Sequence, residues 1–425
     1  MDKNTTSGFW GLLGAVIDNR RTKKAVKRVQ QQNIANQGLV RYRPSQIEAF
    51  FDANDPVCNM IFSGGADELR IRSIIRALEC AFMQGASVLV LHCGNSLLEQ
   101  NAYGYFGQHV VLINRNNPIY DPFVDLTNNN IVDIILASST KKHLINSAGR
   151  YYITGICSYI RSLNKSPHCY SFINCPHLEL INQVNDAESQ GRITSAEAKS
   201  IISQLLQGDV EKANIESFFN ELSIHGGNIL SDKSNVGYSI NLTKAAQYGK
   251  ILLVDVQSSI NTLLINLLAN EAILAQEKGM GVLIVADGLQ FDSSDALTDY
   301  IRRTGSHSSF IASSDDVFST FGSDEKAFNT LAGKSSKLII SKHSSAFSSQ
   351  KFSEVIGSFE KQEMTESKTR HIDFFKQWGL GSTNTLSLST KREYIVKPEE
   401  IQRLAMDEVY ILDKHRGELA FTRVI

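Results

Sequence analysis

From Cys58 onward the chain alternates apolar runs of strand length with longer amphipathic stretches of helical period, a rhythm that predicts a mostly parallel sheet covered by helices. Cys58–Phe62, Ser87–Leu91, Val110–Asn114, Ile251–Asp255, Val282–Asp287, Ser309–Ala312 and Lys337–Ser341 are the expected strands, and Leu69–Gln84, Ser259–Glu277 and Ser293–Thr304 are expected helices between them. The rhythm breaks over residues 162–235, where polar helical patterns take over in Leu178–Glu188, Thr194–Gln207 and Val210–Leu222. Thr194-Ser195-Ala196-Glu197 has the form of a capping box, in which hydroxyl and carboxylate each bond an end-of-helix N–H. The strand pattern then resumes. The chain is therefore expected to be one α/β domain, residues 46–161 and 236–425, interrupted by an all-helical insertion, 162–235, and preceded by a basic segment, 1–45. Serine-rich residues 306–353 are interrupted by apolar strands and read as surface loops on that domain.

With 425 residues there is room for two or three cored domains, and a net charge of −1 singles out no class of partner. The apolar run Gly8–Ile17 has about half the residues of a membrane span. The basic block Arg20–Arg28 after it suits an anionic membrane or nucleic acid, and equally a solvated tail or a helix docked on a partner. Six scattered cysteines without a secretory leader pattern point to a reducing cytoplasm and no disulfides.

The most informative segment is Met60–Ile71, an apolar strand, a glycine turn and a helix start. A phosphate-binding loop reads G-x-x-x-x-G-K-[ST], because backbone N–H groups cradle phosphates, lysine neutralises them and the hydroxyl holds magnesium. Counted from Gly64, the last three positions hold Leu69, Arg70 and Ile71. Ser63, Gly64, Gly65, Ala66, Asp67, Glu68 and Arg70 thus form a degenerate cradle, with two carboxylates where phosphates would lie. By itself the segment also fits an ordinary βα turn whose acidic first turn satisfies the helix dipole internally.

Other constellations carry less. His168, Cys169, Cys175 and His177 match no standard zinc spacing and are expected to be buried thiols and exposed imidazoles. His92 and Cys93 are neighbours on a strand and face opposite ways, which makes Cys93 a core thiol in expectation and not a nucleophile. Leu39–Pro44 reads as an extended lead-in, or as an aromatic-basic nucleic-acid contact, and Trp378–Ser382 as a loop.

Several further segments fall in a recognisable order: Gly249–Val256, a long apolar helix, Gly281–Gly288, Arg302–Gly305, Phe321-Gly322 and Phe352–Gly357. Arg392–Leu404, followed by Asp407-Glu408, is similar to an R-x-L-x-x-P-x-E-I-x-x-L signature, with one extra residue before Pro398 and Tyr394 in place of leucine. Together they resemble the nucleotide-binding domain of the type IV secretion coupling proteins, the TraD and TraG family related to the FtsK and HerA motors, over roughly residues 45–425.

The resemblance implies a RecA-like sheet with an all-α insertion and a site for ATP and magnesium. It makes Asp287 the acid of the second nucleotide motif, with Gly288 in place of the water-activating glutamate. Ser313 takes the sensor position that holds glutamine in the family, and Arg302 or Arg303 would be a charge-stabilising finger acting across a subunit boundary. Loss of lysine, hydroxyl and glutamate together removes several kcal/mol of barrier lowering, at about 1.4 kcal/mol per tenfold in rate. The expected function is therefore a catalytically deficient structural or adaptor component of a type IV secretion or conjugation machine, with no cofactor and no metal. It would bind protein partners, itself or an active paralogue, in the cytoplasm or at the inner membrane face through a partner. Two alternatives stay open: a divergent motor that binds ATP and magnesium through a rearranged loop, and a DNA-binding module using Arg20–Arg28 and Arg41–Arg43.

Overall fold

The computed structural model describes residues 23–35, 40–41, 47–52, 57–139, 144–259, 261–291, 295–305, 307–322, 325–371 and 381–423. Its centre is a ten-stranded sheet built from β1 Val40–Arg41, β2 Asn59–Ser63, β3 Ser87–His92, β4 Val110–Ile113, β5 Ile251–Asp255, β6 Val282–Asp287, β7 Ser308–Ser314, β8 Ser335–Ile340, β11 Glu408–Asp413 and β12 Glu418–Arg423. Across the sheet they run in the order β1-β12-β11-β8-β2-β7-β6-β3-β5-β4. From β8 to β4 every neighbouring pair is parallel, while β11 and β12 extend the sheet antiparallel beyond β8. The seven strands read from the sequence are all present and form this parallel block.

Those strands carry continuous apolar runs because both faces are covered. Ile61, Leu89, Leu91, Leu252, Val254, Ile284 and Ala286 enter one core, and the alternate residues Met60, Phe62, Val88, Val90, Ile251, Leu253 and Val285 enter the other, as the period of two requires. Helix Asp67–Met83 covers the second face, and helix Thr262–Glu277, buried nearly all round, covers the first. A separate antiparallel ribbon, β9 Ser358–His371 with β10 Gly381–Tyr394, was not legible as strands, because charged and hydroxyl residues dominate it. Of Trp378–Ser382, read as a loop, Gly381 and Ser382 open β10 and the rest lies outside the described residues.

The serine-rich stretch is not a set of surface loops. Ser309, Ser313, Ser335, Ser341, Ser349 and Ser353 are buried, because the stretch supplies β7, β8 and helix Ala346–Ile356, and small hydroxyls bond nearby backbone where these elements pack tightly.

Helices fill the connection between β4 and β5. Thr194 caps helix Ser195–Gln207 as expected, accepting from Glu197 N–H at 3.2 Å while the Glu197 carboxylate accepts from Thr194 N–H at 2.8 Å. Helix Gly149–Ser162 joins the same group ahead of residue 162: Gly208 lies so close to Tyr152 that a β-carbon there would sit 2.7 Å from the tyrosine Cβ. Phe172 stacks on Phe219 with ring centres 5.0 Å apart, and this helical packing is continuous with the sheet's first-face core.

The neck of the helical segment is a polar knot. The outgoing Tyr120 bonds the returning chain through Ile229 C=O at 3.0 Å and Ser231 N–H at 2.8 Å, and Asp121 N–H donates to Ile240 C=O at 3.1 Å. Beneath them Glu271 accepts from the Tyr120 hydroxyl at 3.1 Å and from Leu242 N–H. Burial pushes the Glu271 carboxyl up to about 8 against those hydrogen bonds. A carboxyl raised above its unfolded value stabilises the fold below the ordinary carboxylate range and loses that contribution as pH rises toward about 8. Glu271→Gln keeps an acceptor for Leu242 and has no charge to form. Relative to the variant, the parent's thermal stability is expected to fall between pH 5 and pH 8, by roughly 1.4 kcal/mol per pH unit across which the carboxyl is held protonated. The difference between the two melting curves should therefore widen steadily in the variant's favour toward pH 8.

Candidate functional site

In open α/β sheets ligands lodge outside the carboxyl ends of the parallel strands. Here that edge is a row of polar residues: Ser63 on β2, Ser313 and Ser314 on β7, Asp287 on β6, His92 on β3 and Asp255 on β5, with Ser341 just beyond β8. Register places Phe62, Ser313 and Asp287 side by side, so the glycine turn and Asp287 lie two strand spacings apart, about 10 Å.

The turn after β2 is closed by its neighbours. Gly64 N–H donates to Ser314 C=O at 3.1 Å, and Gly65 N–H to Lys342 C=O at 3.0 Å. Gly64 has φ +132°, and a β-carbon there would run into the Ser341 side chain and lie 2.8 Å from the Ser341 carbonyl carbon. The chain leaving β8 therefore packs directly against Gly64. Ser63 is buried, accepts from Val317 N–H at 3.0 Å and bonds His343 Nε2 at 2.8 Å. His343 Nδ1 faces Ser341 C=O at 2.8 Å and must carry the ring proton, so the Ser63 hydroxyl donates to Nε2. Burial holds this imidazole below the usual histidine range and therefore neutral.

Arg70 does not replace the missing lysine. It turns back over the helix start, donates to Gly64 C=O at 2.6 Å and pairs with Asp67 at 2.6 Å. Ala66 is the buried residue before helix Asp67–Met83 and no side chain caps it, while Asp67 and Glu68 are exposed on the first turn. Their carboxylates occupy the positive end of the helix. Asp315 and Asp316 follow β7 at the same edge, and Asp316 caps the next short helix.

Asp287 is buried and bonded at both carboxylate oxygens. Ser313 donates to one oxygen at 2.7 Å and Asn95 Nδ2 to the other at 2.7 Å, and Gly288 N–H donates to Ser313 C=O at 2.8 Å. Ser313 therefore faces Asp287 and not an incoming group. Further along the edge, Asn95 N–H donates to His92 Nδ1 at 3.1 Å, His92 Nε2 lies 3.6 Å from Glu99, and burial lowers the His92 pKa. Asp255 accepts from Gly94 and Gln257 N–H groups, both at 2.9 Å.

The structure thus brings Ser63, Gly64, Gly65, Asp67 and Arg70 together and joins Asp287 to Ser313. Arg302 and Arg303 lie elsewhere: they close helix Asp295–Arg303 just before β7 begins, at the amino edge of the sheet, and pair with Asp299 at 2.9 Å and Glu277 at 3.1 Å. Asn95, Ser341, Lys342 and His343 were missed. Their signal was position, since they directly follow apolar strands at the ligand-bearing edge.

Among the other expected sites, His168 bonds Asp121 at 2.7 Å and His177 bonds the Tyr152 hydroxyl at 3.2 Å, while Cys169 is buried. Among the described residues no group of three or more such side chains is placed to hold a metal ion. Cys93 is exposed and not a core thiol, because β3 ends at His92 and the imidazole takes the buried place. Of the lead-in Leu39–Pro44, Val40 and Arg41 form β1 and pair with β12, while Leu39, Tyr42, Arg43 and Pro44 lie outside the described residues. Of the Arg20–Arg28 block, Lys23, Lys24, Lys27 and Arg28 are exposed on helix 23–35.

The close approach at Gly64 makes a direct prediction. Gly64→Ala should cost about 3 kcal/mol or more, and adding Ser341→Gly should not restore it, since the Ser341 backbone still blocks the β-carbon. Denaturant titration of the two variants checks this.

No protein-family model matches the sequence, and no characterised protein matches it in sequence. Solved structures do match. The unbound form of the bacterial conjugative coupling protein TrwBΔN70 superposes with TM-score 0.53 at 11% identity, covering 87% of this chain and 85% of that one. TrwB in complex with the non-hydrolysable GTP analogue GDPNP gives 0.53 at 11% identity over 91% and 90% of the two chains. TrwB with ADP and Mg2+ gives 0.51 at 11% identity over 91% and 89%. Likeness of this extent spans sheet and helical insertion together, and the chain has the RecA-like α/β fold of the conjugative coupling proteins.

Proposed function

We propose that this chain is a coupling-protein-fold subunit without nucleotide chemistry, acting as a structural or adaptor component of a conjugation or type IV secretion machine. The observation that carries the reading is the commitment of the Gly64 and Gly65 amides to the Ser314 and Lys342 carbonyls, with Ser341 in the space between. A phosphate cradle works by presenting such amides to the anion. Here a triphosphate would have to break both bonds, displace the β8 exit and approach Asp67 and Glu68, with Arg70 already spent on Gly64 and Asp67.

The second half of the chemistry is absent in the same way. Both Asp287 oxygens are already bonded, by Ser313 and Asn95, and Gly288 offers no side chain to position a water. TrwB has been solved with GDPNP and with ADP and Mg2+; this chain keeps that architecture and fills the corresponding edge with its own groups. Its work is recognition of protein partners, with the helical segment between β4 and β5 supplying the recognition surface.

Exposure of Lys23, Lys24, Lys27 and Arg28 favours a second reading, contact with an anionic polymer or surface. DNA affinity that falls steeply with salt would support it, and absence of binding at low salt would remove it.

Calorimetric titration with ATP and magnesium should give no heat of binding. A loop variant carrying Asp67→Gly, Glu68→Ser, Leu69→Gly, Arg70→Lys and Ile71→Thr should also stay silent, because Ser341 and Lys342 still close the turn. Micromolar binding by the parent chain would overturn the proposal. Binding by the loop variant alone would mean that side chains, and not the closed turn, exclude nucleotide.

A further inference from the structure

Helix Ser96–Phe106, between β3 and β4, lies on the second face of the sheet and turns most of its circumference to solvent. Asn95 caps it, accepting from Leu98 N–H at 3.0 Å, and within the helix only Leu98 and Ala102 are buried. Glu99 is its one charged residue and turns inward to Asn114 and His92. Every exposed residue of the helix is therefore uncharged, and Leu97, Tyr103 and Tyr105 are 45%, 57% and 54% exposed. Surface helices ordinarily turn charged side chains to water, whereas the centre of a protein interface is poor in charge and rich in tyrosine.

Leu97, Gln100, Asn101 and Gly104 follow the spacing i, i+3, i+4, i+7 and form one stripe, on the side of the helix opposite its buried residues. Gln100, Asn101, Gly104 and Tyr105 line a shallow groove along that stripe. Gly104 opens the groove, since a β-carbon there would meet nothing within 4 Å. Glycine weakens a helix interior, and neither crowding nor an unusual backbone angle within the chain calls for one at this position.

We propose that two copies of this chain associate through this stripe, with the two helices antiparallel about a two-fold axis between Gln100 and Asn101. The spacing of the stripe is the same read from either end, so the axis brings Leu97 to Gly104, Gln100 to Asn101 and Ser96 to Tyr105 of the second copy. Each Leu97 enters the room left by the other copy's Gly104. Asn101 Nδ2 is bonded to Leu97 C=O of its own helix at 2.8 Å, so its side-chain oxygen is the group offered to the Gln100 amide across the axis. Tyr105 borders the groove with its hydroxyl held by Glu79 of helix Asp67–Met83. A partner of unrelated sequence would need a knob for Gly104 but no hole for Leu97; a second copy uses both. No like charges meet across the axis, and none has to be desolvated. The helix is about 16 Å long, so the contact is small and the association weak.

Sedimentation equilibrium of the full chain tests this. The parent should show a monomer–dimer equilibrium at tens to hundreds of micromolar. Gly104→Leu places a better helix former in open space, so it should melt no lower than the parent, yet weaken association roughly tenfold or more because the receiving gap is filled. Leu97→Ala should weaken association too. Gln100→Lys and Gln100→Glu each set like charges together at the axis and should each weaken it, and an equimolar mixture of the two should restore it. Ile224→Lys, at an exposed apolar residue of the helical segment, should leave it unchanged. A parent that stays monomeric at hundreds of micromolar, a Gly104→Leu chain that associates like the parent, a mixture no tighter than either Gln100 variant alone, or an equal loss in Ile224→Lys would overturn the proposal.

Discussion

The carbonyls of Ser314 and Lys342 hold the amide hydrogens of Gly64 and Gly65, and the character of the carboxyl edge depends on that exchange. Each such bond contributes only about 1 kcal/mol net, but a ligand that displaced the one at buried Ser314 would leave its carbonyl without a donor, at about 1–3 kcal/mol. Two bonds, the steric block at Gly64 and the neutral Ser63–His343 pair act on the same few ångströms, so none yields alone. Arg70 folds back onto the same turn and binds Gly64 C=O and Asp67. Asp67 and Glu68 become favourable helix-start residues and not obstacles to a ligand.

Fold and chemistry separate cleanly in this chain. The parallel block asks for apolar residues alternating between two cores, and Ile61 with Phe62, or Val254 with Leu253, supply that whatever lies at the strand ends. The helical segment is tied to the sheet through Tyr120, Leu242 and buried Glu271, well away from the glycine turn in sequence. Side chains at the strand ends can therefore vary while the architecture persists, and an 11% identical chain still superposes along nearly its whole length.

Much of this was legible in the sequence, and the failures have particular causes. Strands β5 and β6 were bounded to the residue because continuous Ile, Leu and Val runs end in aspartate. The Thr194 cap was legible because its chemistry is local. Ribbon β9–β10 was not, since its stability comes from cross-strand pairing of polar residues and leaves no apolar period. At the site, the absence of lysine from the glycine turn was plain, whereas its closure was not. The closing groups come from Ser314 and from Ser341 to His343, about 250 to 280 residues away, and only the adjacency of β7, β2 and β8 brings them there. The serines that looked like loop composition are the same residues, buried because only small hydroxyls fit between these strand ends.

Backbone amide resonances report the central claim most directly. With glycine-selective 15N labelling, the Gly64 and Gly65 signals should show slow hydrogen exchange and no shift on adding millimolar ATP and magnesium, since their hydrogens are held by Ser314 and Lys342. Rapid exchange at both residues, or nucleotide-dependent shifts of their resonances, would mean that the turn is an open cradle and would contradict the account.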